Sequence, residues 1–193
     1  MKKIIFLIIL FTQSICLFAT IQISDIIIYN GNEYRLIVSH PMESYFIESP
    51  EKRPPSGDIS ALWRGYIATF EIIDNELWVI DIKTPNGNYS IINGNFIIGY
   101  TSIVKECFEG KDRLKMDWYN GFLVIPQGEI IDYELLGWNA DYENYLIIEI
   151  QNGNIINKFT LSFLQYAEFF ENQLKERYWE MFRIWNNINF PKR

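Results

Sequence analysis

The sequence predicts an α+β, β-rich fold: an antiparallel meander sheet, strongly curved or barrel-like, with a short helix in the middle and a long amphipathic helix at the C-terminus. Three observations carry that expectation. Asn-Gly pairs stand at Asn30-Gly31, Asn93-Gly94, Asn120-Gly121 and Asn152-Gly153, with Asp74-Asn75 doing similar work, and such pairs tolerate the positive φ that tight hairpin turns require. Between them lie apolar runs of strand length, the most regular being Ser60–Ile73. Beyond Leu161 the apolar period lengthens to three or four residues, which is the mark of a helix.

The N-terminus predicts export. Lys2 and Lys3 precede the apolar stretch Ile4–Leu10, extended through Phe18, in the pattern of a secretory signal peptide. Cleavage after Ala19 is the simplest reading, although Leu17 is large for its place and a retained anchor is the alternative. Gln13-Ser14-Ile15 before Cys16 lacks the small residue of a lipoprotein signal. The expected location is the periplasm or the exterior, with residues 1–19 as signal peptide and 20–193 as one globular domain, β-rich over 20–161 and helical over 162–187. No later stretch reaches the ~20 apolar residues a transmembrane helix needs.

In order, Ile21–Tyr29 reads as a strand, Asn30-Gly31 as its turn and Glu33–Val38 as the returning strand. His40–Phe46 leaves that hairpin, with Pro41 pushing His40 towards an extended conformation. Glu48–Asp58, with three prolines and a glycine, reads as a surface loop. Ser60–Ile73 is the expected central strand: Leu62, Arg64, Tyr66, Ala68, Phe70 and Ile72 share one face, apolar but for Arg64, while Trp63 and Glu71 point the other way. Leu77–Ile82 pairs back on it. Lys83–Asn95 is rich in Asn, Gly and Ser and reads as a long exposed loop or a short hairpin of its own. Ser102–Phe108 reads as one or two helical turns, with Ile103, Val104 and Cys107 at helical spacing and Cys107 buried. Leu114–Tyr119 and Phe122–Ile125 read as a hairpin across Asn120-Gly121, and Pro126–Glu129 as a turn. Ile130–Leu136, Tyr142–Ile150 and Asn154–Leu161 complete the strands. Phe163, Tyr166, Ala167, Phe170, Leu174, Tyr178, Met181 and Trp185 then form the stripe of a helix that Ser162 caps, leaving Phe169, Trp179 and Phe182 off the stripe.

Charge and composition exclude several chemistries. The net charge is -7, and removal of the first nineteen residues takes away two lysines and no acid, so nucleic acid is not an expected partner. A protein with a basic surface is the expected one. Cys107 is the only cysteine after cleavage and His40 the only histidine, which excludes an internal disulfide and a Cys/His zinc site; no metal and no cofactor are expected.

The segments Tyr29-x-Gly31-x-x-Tyr34-x-Leu36, Pro41-Met42-Glu43-x-Tyr45-Phe46, Leu62-Trp63-Arg64-Gly65-Tyr66, Asp117-Trp118, Gly121-x-Leu123-x-Ile125-Pro126-x-Gly128 and Tyr142-Glu143 together resemble a family of uncharacterised bacterial proteins. The resemblance spans about Tyr29 to Ile150 and leaves out the C-terminal helix. It implies bacterial origin and compactness, and brings no catalytic residues with it.

The candidate binding residues are Trp63, Arg64, Tyr66, Asp117, Trp118 and Glu143. One reading makes Trp63-Arg64-Gly65-Tyr66 a recognition surface with rigid aromatic anchors and an arginine fork. The other places Arg64 inside the sheet, paired with Glu43, Asp117 or Glu143. No serine or cysteine nucleophile is tied to His40 by any motif. Glu129, Asp132, Asp141 and Glu143 are the acids from which a glycosidase pair would be drawn, although acids near turns are ordinarily solvated. Three function classes follow. The first is a non-catalytic exported binding or inhibitory protein of the envelope, immunity-type included. The second is an envelope carbohydrate-active hydrolase using acidic residues. The third is a structural or assembly subunit that forms a homo-oligomer through the C-terminal helix. The first leads because it requires no missing parts.

Overall fold

The structure is a computed structural model that describes residues 23–55, 60–93, 95–132 and 141–180, with Arg183. The expected signal peptide, residues 133–136 of an expected strand, Met181 and Trp185 of the expected stripe, and Phe182 expected off it lie outside the described residues. The strands are β1 (Ile26–Tyr29), β2 (Asn32–Arg35), β3 (Ile67–Ile73), β4 (Glu76–Ile92), β5 (Asn95–Ser102), β6 (Leu114–Lys115), β7 (Gly121–Asp132), β8 (Asp141–Gln151) and β9 (Asn154–Ser162). Helix α1 (Pro41–Glu48) follows β2 and the one-turn α2 (Val104–Cys107) follows β5. Helix α3 (Phe163–Phe169) runs on through a π turn, Phe170–Leu174, into residues 175–180.

The protein is β-rich, as expected, but the sheet is mixed and not a pure meander. Its order is β2-β1-β3-β4-β9-β8-β7, with β5 and β6 also pairing β4. Strand β1 runs parallel to β3, Ile26 opposite Thr69 and Ile27 opposite Phe70. Parallel neighbours cannot be joined by a tight turn and need a crossover of a dozen residues or more. Residues 36–66, with α1 inside them, form that crossover. The sheet does not close into a barrel. After β2 the chain reaches β7 through one backbone hydrogen bond, Ile37 N–H to Val124 O at 3.2 Å, and no ladder follows it.

Several local expectations need correction. Ser60–Ile73 is not one strand: Ser60–Leu62 is a 3₁₀ turn, Trp63–Gly65 turns again, and β3 begins at Ile67. Gly65 adopts φ +81°, which a strand interior does not use. The segment His40–Phe46, expected only to leave the first hairpin, enters α1 (Pro41–Glu48), because a proline at the first helical position has its φ preset and no N–H to lose. Lys83–Ile92 is not a loop but the outer half of β4, paired with β5 as the hairpin that the sequence offered as the alternative. Asn120-Gly121 makes no hairpin: neither residue adopts positive φ, β6 pairs with β4, and β7 pairs with β8. Pro126–Glu129 is not a turn but an irregularity inside β7, with Gly128 at φ +81°. By contrast, Asn30-Gly31, Asp74-Asn75 and Asn152-Gly153 all take positive φ at both residues and turn hairpins as expected.

Two apolar clusters lie on opposite faces of β7 and β8. Leu123, Ile125, Ile148 and Ile150 face the larger one, together with Phe70 and Ala68 of β3, Leu77 and Val79 of β4, and Met42 and Phe46 of α1. Val124, Tyr145 and Ile147 face the other way, where Tyr166 and Leu174 of the C-terminal helix cover them. Ser162 caps that helix in a reciprocal box with Gln165, as the sequence suggests. Phe169, expected off the stripe, packs edge-on against Phe122 at 5.2 Å and Phe159 at 5.7 Å. Tyr166, Phe170, Leu174 and Tyr178 recur every four residues, longer than the 3.6 of an α turn, and the wider π turn absorbs that drift.

Candidate functional site

The site is built from the segment that leaves β2. Val38 has φ +51°, a conformation that a β-branched side chain resists, and Ser39 N–H bonds back to Ile37 O at 2.6 Å across it in a strained γ-turn. Such strain costs about 1–3 kcal/mol and persists only where surrounding contacts enforce it. Here they do. Ser39 Oγ donates to Phe122 O at 3.0 Å and accepts Val124 N–H at 3.1 Å, fastening the turn to β7. The next residue, His40, is thereby held at the start of α1, against the interior.

Behind His40 lies a buried charge network. Arg64 Nη1 donates to Asp25 Oδ2 at 2.6 Å and lies 2.9 Å from His40 Nδ1, while Nη2 donates to Ile23 O at 3.0 Å. Asp25 Oδ1 accepts the Ala68 N–H at 2.9 Å. The guanidinium also sits over the Tyr66 ring, 5.2 Å from its centroid. A second carboxylate lies close by: Glu43 takes a bidentate fork from Arg53 at 2.8 and 3.0 Å and the Tyr66 hydroxyl at 2.6 Å. Asp25, Arg64 and Glu43 are all buried. Burial opposes the charge on Asp25, yet the Arg64 guanidinium holds its carboxyl below the usual range. Burial likewise opposes the charge on Arg64, and Asp25, Tyr66 and Glu43 together more than restore it.

These contacts decide the state of His40. Arginine cannot give up its proton, so Nδ1 at 2.9 Å must be the acceptor, and the ring is neutral with its proton on Nε2. Asp25 Oδ2 is 3.5 Å from Nδ1, too far to compete. Burial first, and the Arg64 charge second, push the imidazole pKa below its ordinary value, in agreement with that tautomer. A ring so held offers an N–H donor and has no free lone pair to act as a base.

His40 forms part of the wall of a pocket of ≈ 270 Å³, whose apolar sides come from Val38, Ile47, Trp118, Phe122, Leu174 and Tyr178. Ser39, Ser44, Asn120, Arg177 and Glu180 add polar atoms. The pocket thus sits where α1, the entry to β7 and the C-terminal helix meet. Trp118 is held in place by Tyr45, with ring centroids 5.0 Å apart. Arg177 is tied down by donating to the Asn120 carbonyl. Burial pushes the Tyr178 hydroxyl up, and the Arg64 charge pulls it partly back, so this tyrosine feels the charge network from the helix side.

Of the six residues proposed from sequence, only Trp118 lines this pocket. Arg64 and Tyr66 lie beneath it as buried support, and Arg64 is paired with Asp25, not with Glu43, Asp117 or Glu143. Trp63 is half-buried in the turn before β3. Asp117 is exposed beside Lys115 at 3.2 Å. Glu143 is exposed at the β7 irregularity, where it accepts the Glu129 N–H at 3.2 Å. Neither these acids nor Asp141, buried at the start of β8, line the pocket. Sequence reasoning missed Asp25, Val38, Ser39, Arg177 and the role of His40. The usable signal was Asp25 itself, an acid inside an apolar strand run. Cys107 is buried as expected, and burial pushes its thiol up, away from nucleophilic use. Among the described residues no group of three or more His, Cys, Asp or Glu converges to hold a metal ion, and no helix is long and apolar enough to cross a membrane.

Comparison with protein-family models, with curated proteins and with solved structures finds no match, so the resemblance over Tyr29–Ile150 stays an expectation.

Proposed function

We propose that this chain is a non-catalytic binding protein of the bacterial envelope, and that it takes an apolar group bearing a hydrogen-bond acceptor into the pocket beside His40. The observation that carries the reading is the tautomer of His40: Arg64 occupies Nδ1, leaving the ring a donor inside an aromatic wall. Small-molecule pockets commonly run to ~300–1,000 Å³, so a volume of ≈ 270 Å³ suits a small ligand or one inserted side chain. The net charge of -7 favours a protein with a basic surface as the bearer of that side chain, which is the form an inhibitor of a secreted toxin would take.

Ile47 provides the test, because it is 40% exposed and lines the pocket without joining the charge network. The partner is captured from envelope extract with the mature chain as bait, identified, purified and titrated against wild type and Ile47→Arg. Loss of binding with an unchanged melting curve supports the pocket as the site. Undiminished binding by Ile47→Arg rules the pocket out. Turnover of peptidoglycan or of a glycoside panel by purified protein, abolished by Glu129→Gln or Glu143→Gln with the fold intact, replaces the binding protein with a hydrolase.

A further inference from the structure

The outer half of the β4–β5 hairpin is a surface that the pocket reading leaves unexplained. From Thr84 to Ile92, β4 pairs only with β5, and β5 pairs only with β4, among the described residues. The result is a two-stranded arm, exposed throughout 86–92, on which Ile91 is 74%, Ile92 54% and Ile97 42% exposed. A lone hairpin of this kind is marginal in water, and three or more strands are ordinarily needed to stabilise one. The arm also lacks the usual protection of an open edge. Between Lys83 and Lys105 the chain has no charged residue at all, whereas natural edge strands are guarded by lysines, inward charges or proline. Pro85 stands at the base of the arm, before the register shift, and leaves Tyr89–Ile92 and Asn95–Ile98 as a regular ladder.

We propose that this arm is a homodimer contact in which β5 of one copy pairs antiparallel with β5 of a second, making a four-stranded sheet across a two-fold axis. Antiparallel self-pairing satisfies the open N–H and C=O row of both copies at once, which is what an isologous interface requires. Charge favours a second copy over a membrane. Two chains of net charge -7 repel over most of their surfaces and can approach closely only through a neutral patch, which the arm is. A bilayer surface, commonly anionic, is recognised by Lys and Arg flanking an apolar wedge, and the arm has none between its two ends.

The test is sedimentation equilibrium of the mature chain over a concentration series, with hydrogen exchange followed at β5. The proposal expects a two-chain species that dissociates on dilution, with β5 amides protected in the dimer and exchanging in the monomer. Ile97→Lys sets like charges on the facing strands and should raise the dimer Kd at least about tenfold at unchanged melting temperature. Should Ile97→Lys itself loosen the fold, Thr101→Lys, exposed on the same strand, serves in its place. A monomer at every concentration overturns the proposal. So does a dimer that ignores the β5 variants and dissociates with Trp179→Lys, which would move the contact to the C-terminal helix. Protection of β5 only in the presence of mixed phosphatidylethanolamine and phosphatidylglycerol vesicles would make the arm a membrane wedge instead.

Discussion

Arg64→Ala tests the interior of this protein most directly. Asp25 and Arg64 have side chains 0% and 1% exposed, so solvent screening does not discount their pairing. Removal of the guanidinium strips Asp25 Oδ2 of its 2.6 Å donor and Ile23 O of its 3.0 Å donor, while the carboxylate stays in the core. Breaking one side of a buried pair costs about 3–5 kcal/mol, and at about 2–4 °C per kcal/mol for a domain of this size the melting temperature should fall by about 6–20 °C at pH 8. The loss should shrink in acid. In the native protein the His40 pKa is lowered, so the unfolded chain takes up the proton first, and the neutral ring's contribution is present above about pH 6.5 and declines below it. In Arg64→Ala, Nδ1 is released and the imidazole faces Asp25 alone, which raises its folded pKa. The variant therefore loses less stability than the wild type as the pH falls below about 6.5. Melting followed by far-UV circular dichroism at pH 8 and at pH 5.5 reads both effects. A shift under about 2 °C at pH 8, or a gap between variant and wild type that does not narrow in acid, refutes the assignment of Arg64 as the partner of Asp25 and His40.

Three further outcomes follow from the packing. Gly153→Ala should cost clearly more than Gly31→Ala in urea titrations: both have positive φ, but a Cβ at Gly153 would lie 2.7 Å from the Met116 carbonyl oxygen, whereas at Gly31 it meets nothing within 4 Å and only the left-handed penalty of about 1–2 kcal/mol applies. Equal losses would mean that β9 does not approach the Met116 backbone as described. Leu174→Ala should destabilise by about 2–5 kcal/mol in the same assay, because Leu174 is buried over Val124, Tyr145 and Ile147; a surface-like loss under about 0.5 kcal/mol would detach the helix from the sheet. The Cys107 thiol, 2% exposed and raised in pKa by burial, should react with a chromogenic disulfide reagent only after denaturant is added, and rapid labelling of the folded chain would contradict its place in the core.

The sequence by itself determined what depends on neighbouring residues. Asn30-Gly31, Asp74-Asn75 and Asn152-Gly153 turn where they stand because positive φ at both central positions is a property of those residues and not of distant contacts. Ala68 and Phe70 face the core in alternation, Ser162 caps a helix, and Cys107 is buried, each from the period of its own segment. The same local logic failed at Asn120-Gly121, where Asn120 instead accepts the Asn152 N–H at 2.9 Å and holds Arg177 through its carbonyl. Partner choice belongs to the tertiary structure. Arg64 visibly needed an acid, but Asp25 is 39 positions away and was hidden in a strand run, while Glu43, the nearer candidate, is already saturated by Arg53 and Tyr66. The parallel pairing of β1 with β3 and the strain at Val38 arise in the same way, because both exist only once β7 and the crossover around α1 press on the chain from outside it. A pocket assembled from three such segments leaves no mark in any one of them.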